Sequence, residues 1–169
     1  MVELLCAMGV MSIGILAVYA MFESSTVQIR RASTVSTAAA LADSEMENYR
    51  AVKYETIGLA TVDVDAADST YTGDGAFRPI SSPTNETDST VVVNACPDTP
   101  CTSSVPTRTV TGADGKSYRL DTYATWQAVQ NSSGTQGRDV KLITLVVRDA
   151  ATNRVWARVS SSFDESTGL

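Results

Sequence analysis

Two cysteines, a run of aspartates and one isolated glutamate carry most of the chemistry that side-chain type and spacing allow in this 169-residue chain. Cys96 and Cys101 enclose Pro97, Asp98, Thr99 and Pro100 in "CPDTPC". In an exported domain that spacing predicts a short disulfide loop, and a metal site would need ligands that neither a histidine nor a further nearby cysteine supplies. Asp63, Asp65, Asp68 and Asp74 in "DVDAADSTYTGDG" present oxygen ligands of the kind calcium takes, but their spacing matches no EF-hand, so a solvated acidic loop is the expectation and calcium the alternative. The chain has no histidine, which removes Ser-His-Asp and Cys-His catalysis and His-ligated metals. A glycine-rich phosphate loop and a nucleophile beside a base are also absent, so no enzyme and no cofactor are expected. Asn85 and Asn131 match the N-glycosylation sequon, and Ser/Thr O-glycosylation is equally compatible with the composition. A net charge of -6 argues against general binding to nucleic-acid phosphates.

The isolated glutamate is Glu3. Between Met1 and Phe22 it is the only charged residue, in "MVELLCAMGVMSIGILAVYAMF". As a helix this tract would span about 33 Å, enough for a hydrocarbon core of about 30 Å. A secretory signal fits poorly, because no basic residues precede the apolar run and the run exceeds the roughly 7–15 residues of a signal core. An ordinary membrane anchor leaves Glu3 to explain, since a carboxylate in hydrocarbon is costly unless paired or protonated. Cys6, inside the tract, reads as a small buried hydrophobe.

The elements that position these residues follow from the pattern. No Pro or Gly interrupts Glu23 to Glu55, and Val35, Ala38, Ala39, Ala42, Met46, Tyr49 and Val52 recur on one helical face, with Glu45, Glu47, Arg50 and Lys53 on others. The apolar tract (1–22) thus continues into an amphipathic helix (23–57) that ends near Tyr54, with Gly58 as the stop. A helix of that length reaches roughly 80 Å, and a small domain covers only part of it. The rest must bury its apolar surface in lipid or against copies of itself. Residues 58–90, rich in Asp, Thr, Ser and Gly, predict a surface connection. Residues 91–169 predict a sheet. "STVVVNAC" is a strand, Asp114-Gly115 marks a hairpin, and "DVKLITLVVRDAATNRVWARVSSSF" forms another. Tyr118, Leu120, Ala124, Trp126 and Ala128 share one face; Ile143, Leu145 and Val147, and then Val155, Ala157 and Val159, do the same on the next two strands. The fold class is α+β, an antiparallel sheet packed on the amphipathic half of a long helix. No internal repeat is found.

The opening "MVELLCAMGVMSIGILAVYAMFESS", together with the acidic-Met-acidic run before a tyrosine and a turn in "LADSEMENYRAVKYETIG", resembles the mature N-terminus and helix end of type IV pilins and pseudopilins. The resemblance covers about the first 58 residues well and the remainder only in architecture. It implies a pilin-like fold, processing of a basic leader by a prepilin peptidase, and a free, usually N-methylated amine at the mature terminus, which is Met1 only if the mature chain starts there. It also implies that Glu3 of one subunit neutralises the amine of a neighbour within an apolar filament core. Glu3 stands third where the family's glutamate is usually fifth, so two further residues are expected before Met1 in the natural mature chain. The family's usual proline near the end of the apolar half is missing; Gly9 and Gly14 are left to weaken the helix, and local unwinding between Gly14 and Phe22 in the assembled state is the expectation. Arg30 and Arg31 would favour the cytoplasmic side unless a basic leader competes. The resemblance implies a structural subunit that polymerises into a helical filament of identical copies. It would pass from the bacterial inner membrane to an extracellular pilus with the help of the assembly machinery, and bind no nucleic acid specifically. The alternatives are a minor pilin or secretion pseudopilin that primes or tips a filament, and, in another class, a monomeric membrane-anchored binding domain.

Overall fold

The computed structural model describes residues 2–60, 63–64, 67–77, 92, 105–130 and 136–165. The chain divides into two compact units, Met1–Ser36 and Thr37–Leu169. In the first, the described residues belong to α1 (Val2–Ala51), a helix of 50 residues. Two of its small polar residues satisfy themselves locally. The hydroxyls of Ser12 and Thr26 donate to the carbonyls of Met8 (2.8 Å) and Phe22 (3.0 Å), one turn back.

The second unit holds the end of α1 and a four-stranded antiparallel sheet in the order β1-β2-β3-β4. The strands are β1 (Thr107–Thr111), β2 (Ser117–Gln130), β3 (Gln136–Asp149) and β4 (Val155–Phe163). Adjacent strands are consecutive in sequence, so short turns suffice. The first hairpin closes at the expected place. The Gly115 amide donates to the Gly112 carbonyl at 3.0 Å, and Gly115 takes φ of 75°, a conformation that costs glycine little.

Ile143, Leu145 and Val147 alternate onto the face of β3 that meets α1. Ala38 and Ala42 pack with Tyr118, Leu120 and Val147. Met46 and Tyr49 pack with Ala124, Ile143, Leu145 and Phe163. The expected helical stripe is therefore buried at Ala38, Ala42, Met46 and Tyr49, while Val35 stays 39% exposed.

Four expectations need correction. First, α1 ends at Ala51, before Tyr54 and well before Gly58. Lys53 is already extended (ψ 143°) ahead of a 3-10 turn at Tyr54–Thr56. The Lys141 ammonium of β3 braces the segment beyond this exit, donating to the carbonyls of Tyr54 (2.7 Å) and Ile57 (2.8 Å). Second, Glu45 is buried, 4% exposed, and pairs with Arg108 of β1. Third, a register shift in β4 pairs Arg148 with Val155 but Val147 with Ala157. The extra residue brings Trp156 onto the helix-side cluster with Ala157 and Val159, and leaves Val155 exposed. Fourth, part of the segment expected to run over the surface is core: Leu59, Val64 and Tyr71 are buried. The predicted strand "STVVVNAC" is described only at Val92, which is buried, receives the Leu59 amide and donates to the Ala124 carbonyl, each at 2.8 Å.

Candidate membrane and assembly segment

Every described side chain from Val2 to Ser33 is exposed. These include Val10 (72%), Ile13 (70%) and Phe22 (69%). The apolar part of α1 has none of its described side chains buried, and by length and composition the helix is sufficient to cross a membrane. A membrane anchor and a signal segment share this property.

The residues singled out in this tract have no partners within the described chain. Glu3 is exposed in the first turn of α1, where a carboxylate complements the amino-terminal end of the helix dipole. Cys6 is a free, exposed thiol, so the expected burial is not provided by the described residues. Gly9 and Gly14 lie in unbroken helix, and a Cβ at either would meet nothing within 4 Å. Each therefore costs the isolated helix about 1 kcal/mol relative to alanine with no close approach among the described residues to justify it. Glu23, Arg30 and Arg31 are exposed as well. Met1, Asp65, Asn85, Cys96, Cys101 and Asn131 lie outside the described residues.

The aspartates of the acidic run have a different role from the one expected. Asp63 is exposed, but Asp68 and Asp74 bind arginines on the sheet face opposite α1. Asp68 caps the short helix α2 (Ser69–Thr72) by accepting the Tyr71 amide at 2.9 Å, and it also takes both terminal nitrogens of Arg119. Arg119 donates its Nε to Asp121 at 2.7 Å. Asp121, 0% exposed, accepts a second Nε, that of Arg148, at 2.8 Å. Arg148 reaches on to Asp74, which Arg158 of β4 also engages at 2.8 Å. Three carboxylates thus alternate with three guanidiniums across β2, β3 and β4. The hydrogen bond from Arg119 holds the Asp68 carboxyl down at about 2. Burial pushes Asp74 upward, but the Ala76 amide and Arg158 outweigh it and its carboxyl lies below the ordinary value. Carboxylates neutralised in this way are poor calcium ligands, and no group of three or more potential ligands among the described residues is arranged for a metal.

Within this ionic frame Tyr71 stacks on Tyr123 with ring centroids 4.4 Å apart. Its hydroxyl donates to the Thr122 carbonyl at 2.6 Å, and the Tyr123 hydroxyl donates to the Tyr71 carbonyl at 3.1 Å. Sequence reasoning missed this second buried face. The signal was present: Arg119, Asp121 and Tyr123 recur at period two in β2, and charges of both signs on one strand face call for partners when that face is covered.

No protein-family model, curated protein or solved structure matches this chain.

Proposed function

We propose that this chain is a structural subunit of a type IV pilin-like filament, polymerising through the apolar half of α1. The observation that carries the reading is the contrast along one helix. Ala38, Ala42, Met46 and Tyr49 are buried on the sheet, while the described large apolar side chains from Val2 to Ile29 are exposed. Burial is worth about 25 cal/mol per Å² of apolar surface, so a tract of this length in water would be heavily disfavoured and requires cover. Lipid supplies it before assembly and neighbouring copies supply it after. Glu3, Gly9 and Gly14 support the same reading, since a carboxylate and two glycines without partners among the described residues are what an intersubunit core would use. On this reading the chain passes from the inner membrane, after prepilin peptidase processing, to an extracellular filament, and has no catalytic role.

The experiment is electron microscopy of material sheared from cells that make the protein, with mass spectrometry of its N-terminal peptide. Filaments containing the chain with a processed, methylated amine are the expected result. A chain that stays in the membrane fraction as a monomer, with no filament in the sheared material, would replace this reading with the anchored binding domain.

A further inference from the structure

Between Leu4 and Ala42 the sequence carries only three charged residues, Glu23, Arg30 and Arg31. All three are exposed on α1, and none has an ion-pair partner among the described residues. Arg30 follows Glu23 by seven residues, two helical turns less about 20°, so the two lie on one face about 10.5 Å apart along the axis. That separation is too long for pairing within one helix, where charges three or four apart meet. Arg31 lies about a quarter-turn to the side of that face.

We propose that Glu23 of one copy pairs with Arg30, flanked by Arg31, of a parallel copy displaced by seven to eight residues, and that this pairing sets the axial stagger between neighbours. The inference rests on the filament reading above and names the contact that would register it. Copies packed in parallel without stagger set Glu23 beside Glu23 and the arginines beside arginines, a like-charge arrangement. A displacement of about 10.5–12 Å replaces both repulsions with an attraction.

An antiparallel pair could also bring Glu23 to Arg30, but it would set residues 2–22 of one helix beside 31–51 of the other. Ala38, Ala42, Met46 and Tyr49 in that stretch are already covered by their own sheet. The parallel arrangement instead lays apolar tract beside apolar tract. It is also open-ended, because each copy presents its carboxylate to one neighbour and its arginines to another, so the contact propagates without closing.

The test uses the full chain in assembling cells, with Cys6→Ser as background. Glu23→Arg alone, and Arg30→Glu with Arg31→Glu, should each lower the assembled fraction by roughly tenfold or more through like-charge contact, and combining them should restore it. Glu23→Cys with Arg30→Cys should give an oxidised ladder of multimers, where either single variant stops at dimer. Filaments that form normally with every single reversal, and no ladder from the cysteine pair, would overturn the pairing while leaving the filament reading intact. No filament in the unmutated chain would overturn both. Protease resistance of the sheet domain in each variant checks that the loss arises in assembly and not in folding.

Discussion

Asp121→Ala tests whether the second face of the sheet is held by charge. Asp121 is fully buried and accepts Nε of Arg119 at 2.7 Å, Nε of Arg148 at 2.8 Å and the Thr107 hydroxyl at 3.1 Å. Removing one partner of a buried ion pair costs about 3–5 kcal/mol, because the remaining charge stays buried without compensation. Here each arginine keeps another carboxylate, Asp68 for Arg119 and Asp74 for Arg148. The Asp68 side chain is 54% exposed and its share is screened by solvent. The Asp74 side chain is 5% exposed and retains its hold. The expected loss therefore falls near the low end, about 3 kcal/mol. For a domain of this size that corresponds to a fall in melting temperature of roughly 2–4 °C per kcal/mol.

The assay is thermal unfolding of the full chain in detergent micelles, followed by near-ultraviolet circular dichroism, which reports the stacked Tyr71 and Tyr123. Asp121→Asn keeps the volume and some hydrogen bonding and should lose less than the alanine variant. Replacing Asp121, Arg119, Arg148 and Asp74, the buried members of the cluster, together by apolar residues should recover much of the loss, since exchange of a whole buried ionic cluster for apolar groups is often neutral or better. An Asp121→Ala variant melting within about 1 kcal/mol of the parent would refute the reasoning, because a buried bridging carboxylate cannot be removed so cheaply.

Lys141→Met keeps the buried stem but strips the donors from the Tyr54 and Ile57 carbonyls, and should destabilise by about 2–4 kcal/mol in denaturant unfolding while m stays constant. Gly112→Ala should cost roughly 1–3 kcal/mol, because the new Cβ would stand 2.6 Å from the Tyr118 ring and 2.7 Å from the Thr37 methyl; an unchanged midpoint would mean that the hairpin yields freely. Carboxylates held below their unfolded value stabilise the fold above that value and lose the contribution as pH falls through the folded one. Asp68 drops from 3.8 to about 2 and Asp74 shifts the same way, so melting temperature should fall between those two pH values, and a flat profile there would speak against the arginine frame. Glu3→Leu should leave the melting of the sheet domain unaltered and greatly reduce filament yield, whereas normal yield would remove Glu3 from assembly.

The parts of this fold that were legible in the sequence are those set by local periodicity. The apolar tract, the helix-side positions Ala38, Ala42, Met46 and Tyr49, and the alternation Ile143, Leu145, Val147 each follow from a repeat of 3.6 or 2 against one buried surface. Periodicity could not show that the sheet is buried on both faces. The face of β2 that carries Arg119, Asp121 and Tyr123 shows its cover only when Asp68 and Tyr71, some fifty residues earlier, are laid over it. The Trp156 bulge was hidden for a related reason. One added residue reverses the faces in a strand, and its position depends on the neighbouring strand and not on the strand's own pattern.

The candidate site was legible for the opposite reason: what marks it is unsatisfied chemistry in a run of sequence with little else in it. Glu45 shows how far that logic reaches. It sits on α1 like Glu3 and Glu23, yet it is buried because Arg108, sixty-three residues later, and Asn48, three residues later at 3.0 Å, neutralise and solvate it. A carboxylate on a helix thus reports only that a partner is needed, and the fold decides whether the chain contains one. For Glu45 it does. For Glu3 and Glu23 no described residue of the chain serves; Glu3 stands among apolar side chains, and Glu23 closes the apolar tract ahead of Ser24, Ser25 and Thr26. Water satisfies such groups only while the tract is in water, and its hydropathy argues that it does not stay there. Whatever covers the apolar surface must also meet Glu3, which hydrocarbon alone cannot satisfy. On the filament reading proposed above, another copy of the same helix, displaced along its axis, would cover that surface and bring Arg30 and Arg31 to Glu23.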